Sequence, residues 1–161
     1  MSLFFAVFTL ASSWNTTAFA LDAFPTSPQP SLTPGALCTT PNSRRYPERI
    51  AYCERNVGDE LKDQIVRKYD ATFGYRIGSI GRRNFKIDHY IPLCMGGSNA
   101  ESNLWPQHPS VYEITDPLEP LLCNQMAKGL MTQSEAVRLI KLVKNDLKQA
   151  PRILQSLLEL R

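Results

Sequence analysis

Phe85 to Tyr90 alternates in the two-residue period of a half-buried strand. Gly96-Gly97 then marks a turn, and Leu104-Trp105 fits a short return strand stopped by Pro106. This pattern confines the middle of the chain to a hairpin. It also gathers an acid (Asp88), a histidine (His89) and two asparagines (Asn99, Asn103) around one loop. Adjacent strand residues point to opposite faces, so Asp88 and His89 converge on one point only where the strand ends or twists. Ile91-Pro92 supplies such an end.

Helices flank the hairpin, so the expected class is α+β. Asp59 can cap a helix over Glu60–Tyr69, with Leu61, Ile65 and Tyr69 on one face. Gly74, Gly78 and Gly81 break that pattern, and the charged stretch Arg44–Arg55 suggests a short helix before it. Another helix is expected between Pro109 and Met126, its start restricted by Pro117 and Pro120. Thr132-Gln133-Ser134-Glu135 is a capping box. It opens a helix with Ala136, Val137, Ile140, Leu142, Val143 and Leu147 on its apolar side. Pro151 ends that helix and suits the first turn of a Leu-rich one over Arg152–Leu160.

Residues 1–20 carry no Lys, Arg, Asp or Glu; Leu3–Ala11 is apolar, and Ala18-Phe19-Ala20 has the small-x-small form of a signal-peptidase site. They read as a secretory signal peptide, which implies a secreted or periplasmic protein with no membrane segment after cleavage. The alternative, a membrane anchor, needs a longer uninterrupted apolar run than Ser12, Ser13, Asn15, Thr16 and Thr17 allow. Residues 21–37, with Pro25, Pro28, Pro30 and Pro34, read as an extended, mobile linker. One domain over 38–161 follows.

Four cysteines, Cys38, Cys53, Cys94 and Cys123, all lie beyond that cleavage site. An even number in an oxidising compartment points to two disulfides. Of the three pairings, Cys38–Cys53 with Cys94–Cys123 is favoured because each closes a local loop. The rival is a structural zinc site, but such sites usually use close Cys-x-x-Cys pairs, and the chain has none.

Net charge is +3, from 18 basic and 15 acidic residues, too small to indicate a nucleic-acid partner unaided. The distribution says more. Residues 91–123 hold four acids and no Lys or Arg, whereas residues 124–161 hold seven basic and three acidic groups. Arg76, Arg82, Arg83 and Lys86 lie just before the Asp88-His89 pair. Phosphodiester hydrolysis needs a water nucleophile, a base, and positive charge on the phosphate oxygens. His89 suits the base, since imidazole titrates near neutrality. Asp88 offers a hard oxygen ligand for magnesium or manganese. Arg82 and Arg83 are candidates for phosphate contact, or else a solvated surface pair. Trp105 reads as core, and His108 as either a loop histidine or a ligand.

Asp88-His89, Ile91-Pro92-Leu93, Gly96-Gly97, Asn99, Asn103 and Leu104-Trp105-Pro106 resemble, in order and spacing, the HNH (His-Me finger) endonucleases. The resemblance covers roughly residues 82–125, and it implies a small ββα-metal finger among helices. It makes His89 the general base, Asp88 a metal ligand, and Asn103 either a ligand or a brace for the loop. Many family members place a histidine or asparagine on the finger helix where this chain has Tyr112. The neighbouring Glu113 is the expected replacement ligand, with His108 and Asp116 as alternatives.

The implied function is a metal-dependent endonuclease of DNA or RNA with weak sequence preference, using one divalent ion, magnesium before manganese. It would leave 5′-phosphate and 3′-hydroxyl ends. The rival is a non-catalytic binding or structural module that keeps the finger, and the Tyr112 departure is its best support. No Gly-x-Ser-x-Gly elbow points to another hydrolase class. Oligomeric state, biological target and any inhibitor protein stay open.

Overall fold

The structure is a computed structural model that describes residues 23–159. The signal-peptide reading of residues 1–20 lies outside the described residues. What is described mixes helices with two small antiparallel hairpins, an α+β arrangement.

The first hairpin pairs β1 (Ser43–Arg45) with β2 (Ile50–Tyr52). It replaces the short helix expected within Arg44–Arg55. Pro47 sits in its turn, where Tyr46 and Arg49 adopt positive φ (66° and 56°), and the Arg45 guanidinium lies 3.2 Å over the Tyr52 ring. Helix α1 (Asp59–Phe73) is longer than expected at both ends. Gly58 is its N-cap and Asp59 falls in its first turn, where a carboxylate favours the positive helix terminus. Gly74, in the left-handed conformation, closes it. The Asp70 carboxylate then accepts from the backbone N–H groups of Ile77 and Gly78, which starts the short α2 (Ile77–Ile80).

The second hairpin carries the motif. β3 (Lys86–His89) pairs with β4 (Leu104–Gln107), setting Asp88 opposite Trp105 and His89 opposite Leu104. Pro106 lies inside β4, opposite Ile87, rather than ending it. A two-stranded sheet tolerates this because each strand has a free edge where no N–H is needed. The single helix expected between Pro109 and Met126 is divided into α3 (Pro109–Thr115) and α4 (Leu118–Ala127), with Pro117 between them. Helix α5 (Gln133–Asn145) starts as its capping sequence requires, with Thr132 Oγ1 accepting from Glu135 N at 3.2 Å. A 3-10 turn over Leu147–Gln149 leads to α6 (Ala150–Glu159), with Pro151 in its first turn.

Two apolar cores result. One packs Ile65, Tyr69, Ile77, Phe85, Ile87, Leu104, Trp105 and Val111, joining α1 to the second hairpin. The other packs Ile91, Met95, Leu118, Leu122, Ile140, Val143, Ile153 and Leu157, joining the loop after β3 to α4, α5 and α6. Trp105 is fully buried, as a core residue should be.

The described part of residues 21–37 is not a mobile linker. Phe24 stacks on His108 with ring centroids 4.1 Å apart. Thr33 is buried, and its hydroxyl donates to the Leu104 carbonyl at 2.9 Å and meets Tyr69 Oη at 2.7 Å. Gly35 N donates to Ser102 O, and Leu37 bridges Gly97. The prolines keep this strap extended, and its partners hold it against the hairpin.

Cys38–Cys53 and Cys94–Cys123 form the two disulfides, so no described thiol is left for zinc. No described helix is long and apolar enough to cross a membrane.

Candidate functional site

The loop from Ile91 to Asn103 is built on one side chain and one glycine. Asn103 is fully buried. Its Oδ1 accepts from Ile91 N at 2.9 Å, and its Nδ2 donates to Ile91 O at 3.0 Å and to Ser98 O at 2.9 Å. These bonds occupy the amide, so Asn103 stands in the brace position rather than that of a ligand. Gly97 packs so closely that a Cβ there would overlap the Ile91 carbonyl oxygen. Gly96 turns the chain at φ 82°.

His89 ends β3 with 2% of its surface exposed. Its Nε2 lies 3.1 Å from Asn99 Oδ1, and its Nδ1 lies 3.5 Å from an Arg55 guanidinium nitrogen. Arginine only donates, so Nδ1 must be the acceptor. The ring proton is then on Nε2, donating to Asn99. The Asn99 amide is itself fixed, since its Nδ2 donates to Glu54 O at 2.7 Å. Burial disfavours the imidazolium, Arg55 and Lys144 reinforce this, and Asn99 and Asp88 oppose it. The net pKa lies below the usual histidine value. His89 is thus a neutral imidazole whose basic Nδ1 is held only by a long, weak contact.

Asp88 faces the other way, toward α4 and α5. Its Oδ2 is 3.4 Å from Lys144 Nζ and 3.5 Å from Lys86 Nζ. Burial would raise its pKa, but the two ammonium groups outweigh burial and hold it below the usual carboxylate value. Lys144 is completely buried. Its ammonium donates to His89 O at 2.6 Å and pairs with Glu119 Oε1 at 2.7 Å. Burial alone would lower its pKa, yet Glu119 and Asp88 more than compensate and keep it charged. Glu119 responds in the opposite sense: burial pushes it up despite Lys144. Lys86, a third exposed, bonds both Asp116 oxygens at 2.7 and 2.8 Å.

Carboxylate oxygens of Asp88, Asp116 and Glu119 lie within 4.8 Å of one another. Three carboxylates against two ammonium groups leave one net negative charge. The cluster sits where the two cores meet: Asp88 comes from β3, Glu119 from α4 and Lys144 from α5. Glu119 and Cys123 are one helical turn apart on α4, and Cys123 is tied to Cys94 in the loop after His89. The disulfide thereby fixes the Glu119 side of α4 against the Asp88-His89 pair. No protein-family model, curated protein or solved structure matches the chain.

Other expected site residues lie elsewhere. Glu113 is exposed on α3 and is not part of the carboxylate group; Asp116 and Glu119 stand there instead. Tyr112 carries Lys86 over its ring at 5.3 Å. His108 caps α3, with Nδ1 accepting from Ser110 N, and its ring stacks on Phe24. Arg82 and Arg83 lie in a 3-10 turn before β3, at the end of the strand away from His89. Arg82 bonds Phe85 O and faces Asp63 at 3.6 Å, while Arg83 is exposed.

Glu119, Lys144, Arg55 and Asn99 are the site residues that pattern reading left without a role. Lys144 had a readable signal. It continues the buried row Ala136, Ile140 at four-residue spacing, and a lysine on such a row needs a buried anionic partner. Glu119, between Leu118 and Leu121-Leu122, carries the complementary signal. Arg55 is brought in by the segment between β2 and α1 and had none.

Proposed function

We propose that this protein is a metal-dependent endonuclease that hydrolyses phosphodiester bonds of DNA, or of RNA, with weak sequence preference. The observation that carries the reading is one pocket lined by Arg55, Asp88, His89 and Glu119: it brings a neutral imidazole at the end of β3 together with two of the three clustered carboxylates. The hairpin β3–β4 followed by α3 is consistent with a ββα finger of the HNH type. The N-terminal sequence and the disulfides support a secreted or periplasmic location.

In this reading His89 Nδ1 takes a proton from the attacking water. The water oxygen bonds phosphorus as the bond to the 3′-oxygen breaks, and that oxygen takes a proton from solvent water, which leaves 5′-phosphate and 3′-hydroxyl ends. Asn99 keeps the ring in the required tautomer. Asp88, Asp116 and Glu119 form a hard oxygen donor set that suits magnesium, with manganese as the alternative. Such an ion would supply charge stabilisation at the phosphate and leaving oxygens. It fits this set once the Lys86 ammonium swings out to solvent, which its partial exposure permits. Lys144, enclosed, stays.

One observation favours a second reading. Lys86 and Lys144 already neutralise most of the carboxylate charge, as they would in a non-catalytic module that keeps the fold for binding. Plasmid cleavage by the oxidised protein separates the two. The assay compares magnesium, manganese, chelator and His89→Ala. Cleavage that needs both metal and His89 supports the nuclease. A folded protein inert on single- and double-stranded DNA and RNA supports the binding module.

A further inference from the structure

Two cavities meet at Arg55. One, of about 190 Å³, is lined by Arg55, Asp88, His89, Cys94 and Glu119 among others, and is the candidate reaction site. The second, of about 430 Å³, is walled by Thr40, Asn42, Glu54, Asn56 and Asn99, with Arg55 again on its border. Arg55 is the one arginine or lysine among the described residues lining either cavity. The second cavity is polar and, apart from Asn99, its lining has no part in the chemistry described above. Its size is within the range of small-ligand sites, about 300–1,000 Å³.

Resting on the nuclease reading, we infer that this second cavity is the subsite for the nucleotide adjoining the scissile bond, with Arg55 gripping the phosphate at the junction. A guanidinium has five N–H donors. Here one nitrogen makes the 3.5 Å contact to His89 Nδ1 and another donates to Ile87 O at 3.2 Å. Arg55 is exposed and makes no other side-chain hydrogen bond among the described residues. The Ile87 bond orients the group, and the His89 contact is weak enough to give way. A phosphate oxygen is a better acceptor than the ring nitrogen, and it can take two parallel bonds from the fork. Turning Arg55 onto phosphate also uncovers Nδ1 for water, so binding and exposure of the base are one movement. Asn42, Asn56 and Thr40 then offer neutral donors and acceptors to sugar and base edges. Without a second basic group, the cavity has no means of holding a bare polyanion more tightly than a nucleotide.

The segment that carries this wall is held by the Cys38–Cys53 disulfide and by Asn42 Oδ1, which accepts from Glu54 N at 2.9 Å. Asn99 joins wall to base by bonding both Glu54 O and His89 Nε2.

The test measures binding of fluorescent single-stranded DNA and RNA oligonucleotides to the oxidised His89→Ala protein across a salt titration. Adding Arg55→Gln is expected to weaken binding about tenfold, and to reduce the slope of log K against log salt by about 0.7 for the lost phosphate contact. Arg55→Lys should keep the slope while losing part of the affinity, because the charge stays and the fork goes. Asn56→Asp, at an exposed wall position, should weaken binding with no effect on thermal stability. Equal affinity and slope in Arg55→Gln and its parent overturn the inference, as does unchanged binding in Asn56→Asp. Arg55-dependent binding by a protein that cuts nothing supports the subsite while removing the nuclease reading. His89-dependent cleavage with Arg55-independent binding does the reverse.

Discussion

Lys144, from α5, donates to the carbonyl oxygen of His89 at 2.6 Å and reaches Asp88 and Glu119 with the same ammonium group. A helix late in the chain thus holds the end of the strand that carries the candidate base. Lys144→Met should cost about 3–5 kcal/mol, because two buried carboxylates lose their counter-charge. Adding Glu119→Gln should recover part of that loss. Denaturant unfolding of the single and double variants measures both effects.

His89 depends on Asn99 for its tautomer. Asn99→Ala should lower kcat about 10–100-fold, a fraction of what general-base catalysis contributes, with a smaller change in KM. Asn99→Asp keeps an oxygen acceptor and should lose less. Equal losses in the two variants would mean that Asn99 merely fills space.

The carboxylate set makes a choice between residues that the linear pattern left open. Asp116→Asn and Glu119→Gln should each weaken manganese binding about 10-fold or more, whereas Glu113→Gln should leave it unchanged. Calorimetric titration of manganese into the protein decides between them.

Burial keeps His89 neutral, with a folded-state pKa below the unfolded value near 6.5. The unfolded chain therefore binds the proton first as pH falls. The resulting stability is complete above about pH 6.5 and is lost as pH drops through the folded pKa. In chelator, Tm should decline across that interval, and His89→Gln should flatten the decline. An unchanged slope in His89→Gln would assign the acid sensitivity to other groups.

Cys94–Cys123 joins the loop after His89 to α4, which bears Glu119. Replacing both cysteines by serine should lower stability by about 2–4 kcal/mol and reduce cleavage even where the protein stays folded. Cleavage rates below the variant's melting transition test this directly.

The hairpin, its glycine turn, the capping of α5 and both disulfide pairings were legible from local pattern. Each depends on neighbours in sequence: strand alternation, a capping box, or short loops between cysteines. The Arg44–Arg55 stretch misled because charge density resembles a helix surface, while Pro47 and the flanking residues close a turn. The prolines of residues 21–37 suggested a free linker, since nothing local shows that Thr33 finds Tyr69 and Leu104. Glu113 is the expected ligand because it adjoins Tyr112 in sequence, with His108 and Asp116 as alternatives, and no part of the motif points to Glu119. Its position on α3 turns it to solvent, and the break at Pro117 sets α4 so that Glu119 turns inward.

The amino-acid order alone was enough to place Asp88, His89 and Asn103 around one glycine turn, because a strand, a tight loop and a return strand are short-range structures. It could not say which charges share the site. Lys144 and Glu119 reach the Asp88 site from α5 and α4, and Arg55 reaches His89 from the segment between β2 and α1. Those meetings depend on how two apolar cores pack against each other, and packing follows from the shapes of whole elements rather than from any local spacing.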